Sequence, residues 1–176
     1  MRLMLSFVLG SLALVAPAAL YAQQPNDAQI AAIVVTANQV DIDAGKLAES
    51  KADNAQVKAF GRQMVTDHSG VNKQATELVT KLGVKPEDNA TAQSLKSGGA
   101  DNVKALSSLS GAAFDKAYID HEVAYHQQVL DAVDKTLIPG ASNAELKALL
   151  VKARPMFVDH IDQARKLQAS VSKATS

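Results

Sequence analysis

Apolar residues recur at three- and four-residue spacing through most of the chain, the period of a helix that buries one stripe. Ile30, Ile33, Val34, Ala37, Val40, Ala44, Leu47 and Ala48 make the first such row, with Asn26 or Asp27 placed to cap it. A helix is therefore predicted over about 27–51. Asp53 or Asn54 restarts the pattern through Val57, Phe60, Met64, Val65, Val71, Ala75, Leu78, Val79 and Leu82, and Gly83 ahead of Lys85-Pro86 stops it. That predicts a second helix over about 54–82, joined to the first by a very short turn. A third, about 112–137, carries Phe114, Tyr118, Ile119, Val123, Tyr125, Val129, Leu130, Val133 and Leu137 and ends before Pro139-Gly140. Asn143 caps a fourth, about 144–172, with Leu146, Leu149, Leu150, Ala153, Phe157, Ile161, Ala164 and Leu167 on its face. Pro155 inside it removes one backbone hydrogen bond and predicts a bend.

Between the second and third helices the pattern thins. From Pro86 to Gly111 the chain is rich in Ser, Gly, Asn, Asp and Ala, has Gly98-Gly99 at its middle, and keeps only Leu95, Val103, Leu106 and Leu109 at regular spacing. The expectation is a long crossover with one or two short helices. Two hairpins of long helices joined by one long connection give an all-α, up-down four-helix bundle of ferritin-like type.

At the N-terminus the pattern is different again. Arg2 precedes an apolar run from Leu3 to Ala16, and Pro17-Ala18-Ala19-Leu20-Tyr21-Ala22 follows. The run is shorter than the roughly 20 residues that span a bilayer, and small residues follow where a peptidase would cut. Residues 1–22 read as a signal peptide cleaved after Ala22, with a retained N-terminal anchor as the alternative. The product is expected to be periplasmic or secreted, with no further transmembrane span and with residues 23–176 as one domain.

Composition narrows the function by exclusion. Eighteen basic residues balance eighteen acidic ones, and no window gathers Lys or Arg among aromatics, so nucleic acid is not an expected partner. With no cysteine, neither a disulfide nor a thiolate ligand can form, and stability rests on packing.

The remaining chemistry lies in polar residues on apolar faces. With steps of about 100° per residue, the apolar stripe of the third helix centres on Glu122, with His126 close by. The same construction puts His68 in the row Met64, His68, Val71, Ala75, puts His160 in the row Phe157, His160, Ala164, Leu167, and puts Asp41 between Ala37 and Ala44. His121 falls at the edge of its stripe. Asp41, His68, Glu122, His126 and His160 each lie near the middle of their own helix, so antiparallel packing brings them to one level. Buried charges without partners cost several kcal/mol, so these five groups are expected to meet one another or an ion. Imidazole and carboxylate from facing helices are ligand types for a divalent transition metal, and Zn, Fe, Mn or Cu would each suit them.

At these residues the chain resembles the bacterial exported proteins grouped as domain of unknown function 4142, often labelled outer membrane proteins and given a ferritin-like fold. The resemblance covers nearly all of the mature chain. It rests on Asn38 with Asp41, Gly45-Lys46-Leu47-Ala48, Val57-Lys58-Ala59-Phe60-Gly61, Met64-Val65-x-Asp67-His68-x-x-x-Asn72, Phe114-Asp115-x-x-Tyr118, His126, and Pro155 with His160 and Ala164. It implies the fold, export and a shared central His68, and it implies no activity. Di-iron ferritin-like proteins differ, since they carry Glu-x-x-His on two helices. Here Asp67-His68 and Glu122-x-x-x-His126 stand instead. A mononuclear site of two or three imidazoles and one or two carboxylates fits these residues better than a ferroxidase centre.

Each residue also has a plainer reading. The five buried groups would equally form a hydrogen-bonded network that fixes helix register. Met64 and Met156, each four residues before a core histidine, would suit copper or simply fill the core. Tyr118 and Tyr125 would serve redox chemistry or, more commonly, bond Glu122 or a histidine through their hydroxyls; Asp67 is an outer partner of the site or simply solvent-facing, and Asn72 an outer partner or an amide bonding a neighbouring helix. Beside metal binding in the envelope stands a structural or interaction protein, connected with stress, whose 86–111 connection meets an envelope partner. An enzyme, such as a metal-dependent oxidase, stands third.

Overall fold

The protein is described here by a computed structural model that covers residues 24–174. The expected signal segment lies outside the described residues. Four long helices form the bundle: α1 (Asp27–Lys51), α2 (Ala55–Lys81), α4 (Gly111–Ala132) and α6 (Ala144–Ala174). Among the described residues there is no strand, and no helix is long and apolar enough to cross a membrane.

Local chemistry sets the ends of these helices. Asn26 caps α1 in a reciprocal capping box with Gln29. Asn54 caps α2 by accepting from Gln56 N and Val57 N, and Asn143 caps α6 by accepting from Glu145 N and Leu146 N. At the end of α2, Gly83 takes φ +64°, a left-handed conformation that glycine adopts without strain.

The crossover departs from expectation. Instead of one or two short helices it holds a single helix, α3 (Ala90–Ser107), of 18 residues, capped by Asn89. At about 1.5 Å per residue α3 is long enough to return the chain along the bundle. It packs mainly on α1, where Gly99 accommodates Val40: a Cβ at Gly99 would lie 2.6 Å from Val40 Cγ2. The glycine pair that reads as a helix breaker is thus partly a packing device.

The third long helix also runs past its expected end. After Ala132 the chain widens into a π-helical segment, Val133–Leu137, in which Ile138 N–H reaches back to Val133 O. It then makes one last turn, α5 (Ile138–Gly140), with Pro139 in its first positions. There the missing proline N–H costs little, and the wide turn ahead of it relieves the clash between the ring and the carbonyl four residues back. Pro155 stays within the continuous α6.

Two buried or half-buried carboxylates tie the ends. Asp115 on α4 accepts from Asp53 N (3.2 Å) and Asn54 N (2.8 Å) in the α1–α2 turn. Asp27 on α1 accepts from Ser142 N and Asn143 N (both 2.9 Å) ahead of α6. The start of α4 therefore lies beside the start of α2, and the start of α6 beside the start of α1. Each neighbouring pair, α1 with α2, α2 with α6, α6 with α4 and α4 with α1, is antiparallel, the connectivity of ferritin-like bundles with one long crossover.

Candidate metal centre

The apolar core falls into two clusters. One, toward the Asp27 end, contains Ile30, Ile33, Val34, Val129, Leu137, Leu150 and Phe157. The other, toward the Asp115 end, contains Ala44, Ala48, Val57, Phe60, Met64, Phe114 and Tyr118. Between them lies a polar layer of Asn38, Asp41, His68, Glu122, His126 and His160, none more than 2% exposed.

Within this layer the ring nitrogens converge. His126 Nε2 stands 3.4 Å from His68 Nε2 and 3.2 Å from His160 Nδ1. Asp41 Oδ2 is 3.4 Å from His68 Nε2 and 4.0 Å from His126 Nε2. Two atoms held about 2.0–2.1 Å from one ion at the tetrahedral angle are about 3.3–3.4 Å apart, so the imidazole spacing matches the edge of a metal coordination sphere.

The opposite nitrogen of each ring fixes its tautomer. His68 Nδ1 is 2.7 Å from Asn38 Oδ1, and Asn38 Nδ2 donates to Val34 O. The amide is therefore oriented with its oxygen toward the ring, and His68 Nδ1–H donates to it. His126 Nδ1–H donates to Glu122 O at 3.0 Å. His160 Nε2–H donates to Asp67 Oδ2 at 3.0 Å. All three N–H groups point outward, leaving three lone pairs facing one another. Amide, backbone carbonyl and carboxylate acceptors behind a histidine are the arrangement that orients metal-binding imidazoles.

Electrostatics sharpens the point. Burial lowers the pKa of all three histidines. For His68 the nearby His126 and His160 add to it, His126 is brought to about 3 with His160 contributing, and for His160 the Asp67 carboxylate pulls the other way. A proton is thus a poor occupant of the gaps between the rings. Burial also raises Asp41, helped by the charge of Glu122, and pushes Glu122 up to about 8. None of the four carboxylate oxygens of Asp41 and Glu122 has a hydrogen-bond donor. The nearest ring nitrogen to Glu122 is His126 Nδ1, 3.4 Å from Oε2, but its hydrogen is already directed to the Glu122 carbonyl. Buried acceptors in this state call for a cation or a proton.

The five residues singled out in the sequence, Asp41, His68, Glu122, His126 and His160, therefore share one layer, in which the three histidines form one set of possible ligands and Asp41, Glu122 and His126 another, the ligand atoms of each set lying within 4.8 Å of one another. Glu122 also approaches half-buried His121, whose Nδ1 is 3.9 Å from Glu122 Oε1. Asp67 reaches the site from outside through His160. The tyrosine expectation is corrected. Tyr125 bonds neither Glu122 nor a histidine: its hydroxyl donates to Ala37 O at 3.1 Å, tying α4 to α1. Asn72 donates to Val35 O on α1, the bond to a neighbouring helix that was expected as its alternative. Tyr118, buried in the closed cluster, has a hydroxyl without a partner, so it too makes no bond to Glu122 or a histidine. Met64 and Met156 pack with the apolar clusters. Asn38 was missed as a site residue, and the available signal was its place one turn before Asp41 on the same buried row.

Compared with known proteins, residues 13–167 match the model of a family described as a domain of unknown function (DUF4142). No curated protein and no solved structure matches the chain.

Proposed function

The chain belongs to that family, and from this premise we propose that it is an exported envelope protein that binds a divalent transition-metal ion at mid-bundle. The ligands are His68 Nε2, His126 Nε2, His160 Nδ1 and the Asp41 carboxylate. One observation carries the reading: three buried imidazoles have every N–H committed to an outward acceptor, so three lone pairs face a common point with no hydrogen between them. A network that only fixed helix register would be expected to pair its members, whereas here the Asp41 and Glu122 oxygens lack donors. An N3O ligand set of imidazoles and carboxylate suits Zn, Fe, Mn or Cu. Export is supported by the Leu3–Ala16 apolar run and the small residues after it.

Chelator-treated protein titrated with each metal tests the assignment. A ligand bound only by the folded state raises the melting temperature, so at least one of the four ions is expected to do so with one ion per chain. His126→Ala should abolish the rise, and Asn38→Ala should weaken binding about 10–100-fold by freeing the His68 ring. No rise with any of the ions, or an undiminished rise in His126→Ala, would overturn the proposal.

A further inference from the structure

Beside the imidazole pocket, in the cluster toward Asp27, lies a cavity of about 90 Å³ whose wall reaches out to the exposed residues Thr91 and Gln128. Helices α1, α2, α3, α4 and α6 and the π-helical segment all contribute to its wall. Ile33, Val71, Leu137 and Leu150 supply apolar surface, and small side chains at Ala132 and Ala153 leave the space open. Phe157 and Asn38 belong both to this wall and to the surroundings of the metal centre. The Phe157 ring lies 5.7 Å from that of His68 and 6.1 Å from that of His126, and Asn38 holds His68 Nδ1.

Two independent features favour an occupant. Protein interiors normally close such spaces, because a void forfeits contacts along its whole lining. Here the wall includes a π-helical segment, an irregularity frequent at functional sites, and its Val133 and Leu137 face the space. Water is a poor occupant, since an internal water needs two to four polar partners and, beside Asn38, only Thr91 and Gln128, both exposed, bring polar side chains to the wall. The Asn38 amide, at the inner end, already spends its oxygen on His68 and its nitrogen on Val34 O.

We propose that this cavity is a binding site for a small, uncharged, apolar molecule, held against the Phe157–Asn38 wall of the metal centre. Apolar cavities of somewhat larger size stay dry and take up xenon or benzene, so the ligand is in the size range of a diatomic gas or a very compact hydrocarbon. Its role as a reactant or effector at the ion rests on the metal reading; its binding does not.

Xenon is the probe, followed by NMR of methyl groups in chelator-treated protein. Saturable shifts are expected at Val71, Leu137 and Leu150 and not at exposed Val151. Ala153→Leu fills the space and should remove the saturable shifts, while leaving one metal ion bound per chain. If that variant does not fold, Ala132→Val is the milder filling, and it should weaken xenon binding severalfold. Absence of saturable shifts in the unmodified protein would overturn the proposal, as would undiminished shifts in a folded filled variant. Because the ion is absent from the measurement, failure of metal binding would leave this result standing, and the converse also holds.

Discussion

The two halves of the core use the same four helices differently. Toward Asp115, α1 presents Ala44, Gly45 and Ala48, and its backbone touches that of α2: a Cβ on Gly45 would lie 2.7 Å from Gly61 O, and one on Gly61 would lie 2.8 Å from Ala48 Cβ. The space beyond is filled by Phe60, Phe114 and Tyr118, with Phe114 and Tyr118 stacked at 6.2 Å and Phe60 edge-on to Tyr118. Toward Asp27, α1 presents Ile30, Ile33 and Val34, and here the π-helical segment and a cavity of about 90 Å³ replace close contact. By the cost of residual voids, such a space sacrifices on the order of 2 kcal/mol of packing. The polar layer lies where the tightly closed half gives way to the open one. Close backbone contact between α1 and α2 on one side fixes Asn38 and Asp41 against His68, while the other side leaves room beside the imidazoles.

The broadest effect on this division is expected from pH, acting on the layer between the halves. In metal-free protein Glu122 is raised from 4.5 to about 8. Between those values the folded chain keeps a proton that the unfolded chain has lost, so stability falls as pH rises. His126, lowered from 6.5 to about 3, acts with the opposite sign and only below 6.5. Melting temperature of metal-free protein should therefore decline from about pH 6.5 to 8, and Glu122→Gln should flatten that decline.

Adding carbon to each half gives a direct contrast. Gly61→Ala pushes α1 from α2 and is expected to destabilise by about 1–3 kcal/mol despite the better helix propensity of alanine. Ala153→Val, which enlarges a side chain facing the cavity, should change stability by less than about 1 kcal/mol. Denaturant unfolding of the two variants separates a closed half from an open one, and equal losses would erase the distinction. The smallest effect lies outside both halves. Gly98 on α3 is exposed and has nothing within 4 Å of an added Cβ, so Gly98→Ala should stabilise by up to about 1 kcal/mol.

How far all this could be read from sequence depends on the range of the interactions involved. Caps such as Asn54 and Asn143 act within three residues and were legible, as was the common height of Asp41, His68, His126 and His160, which follows from helix length and antiparallel packing. The single helix α3 was not. Its apolar pattern is sparse, and the requirement for Gly99 comes from Val40 on another helix. The continuation past Leu137 was also hidden, because a π turn has no local residue code comparable to a cap. Asn38 stands among the residues that carry the family resemblance, but an amide on a buried face has no charge to mark it as part of the site. The tyrosine hydroxyls could not be traced, since the bond from Tyr125 to Ala37 O depends on where α1 lies relative to α4.

On the function proposed above, the three lone pairs and the Asp41 carboxylate enclose a cation site. Calorimetric titration of the chelator-treated protein with zinc at pH 7, repeated in two buffers of different ionisation enthalpy, tests it most directly. With Glu122 and Asp41 raised and the histidines neutral, one ion per chain is expected to bind with release of protons, and both should be lost in His126→Ala. Binding without proton release, no binding at all, or the same isotherm in His126→Ala would contradict it.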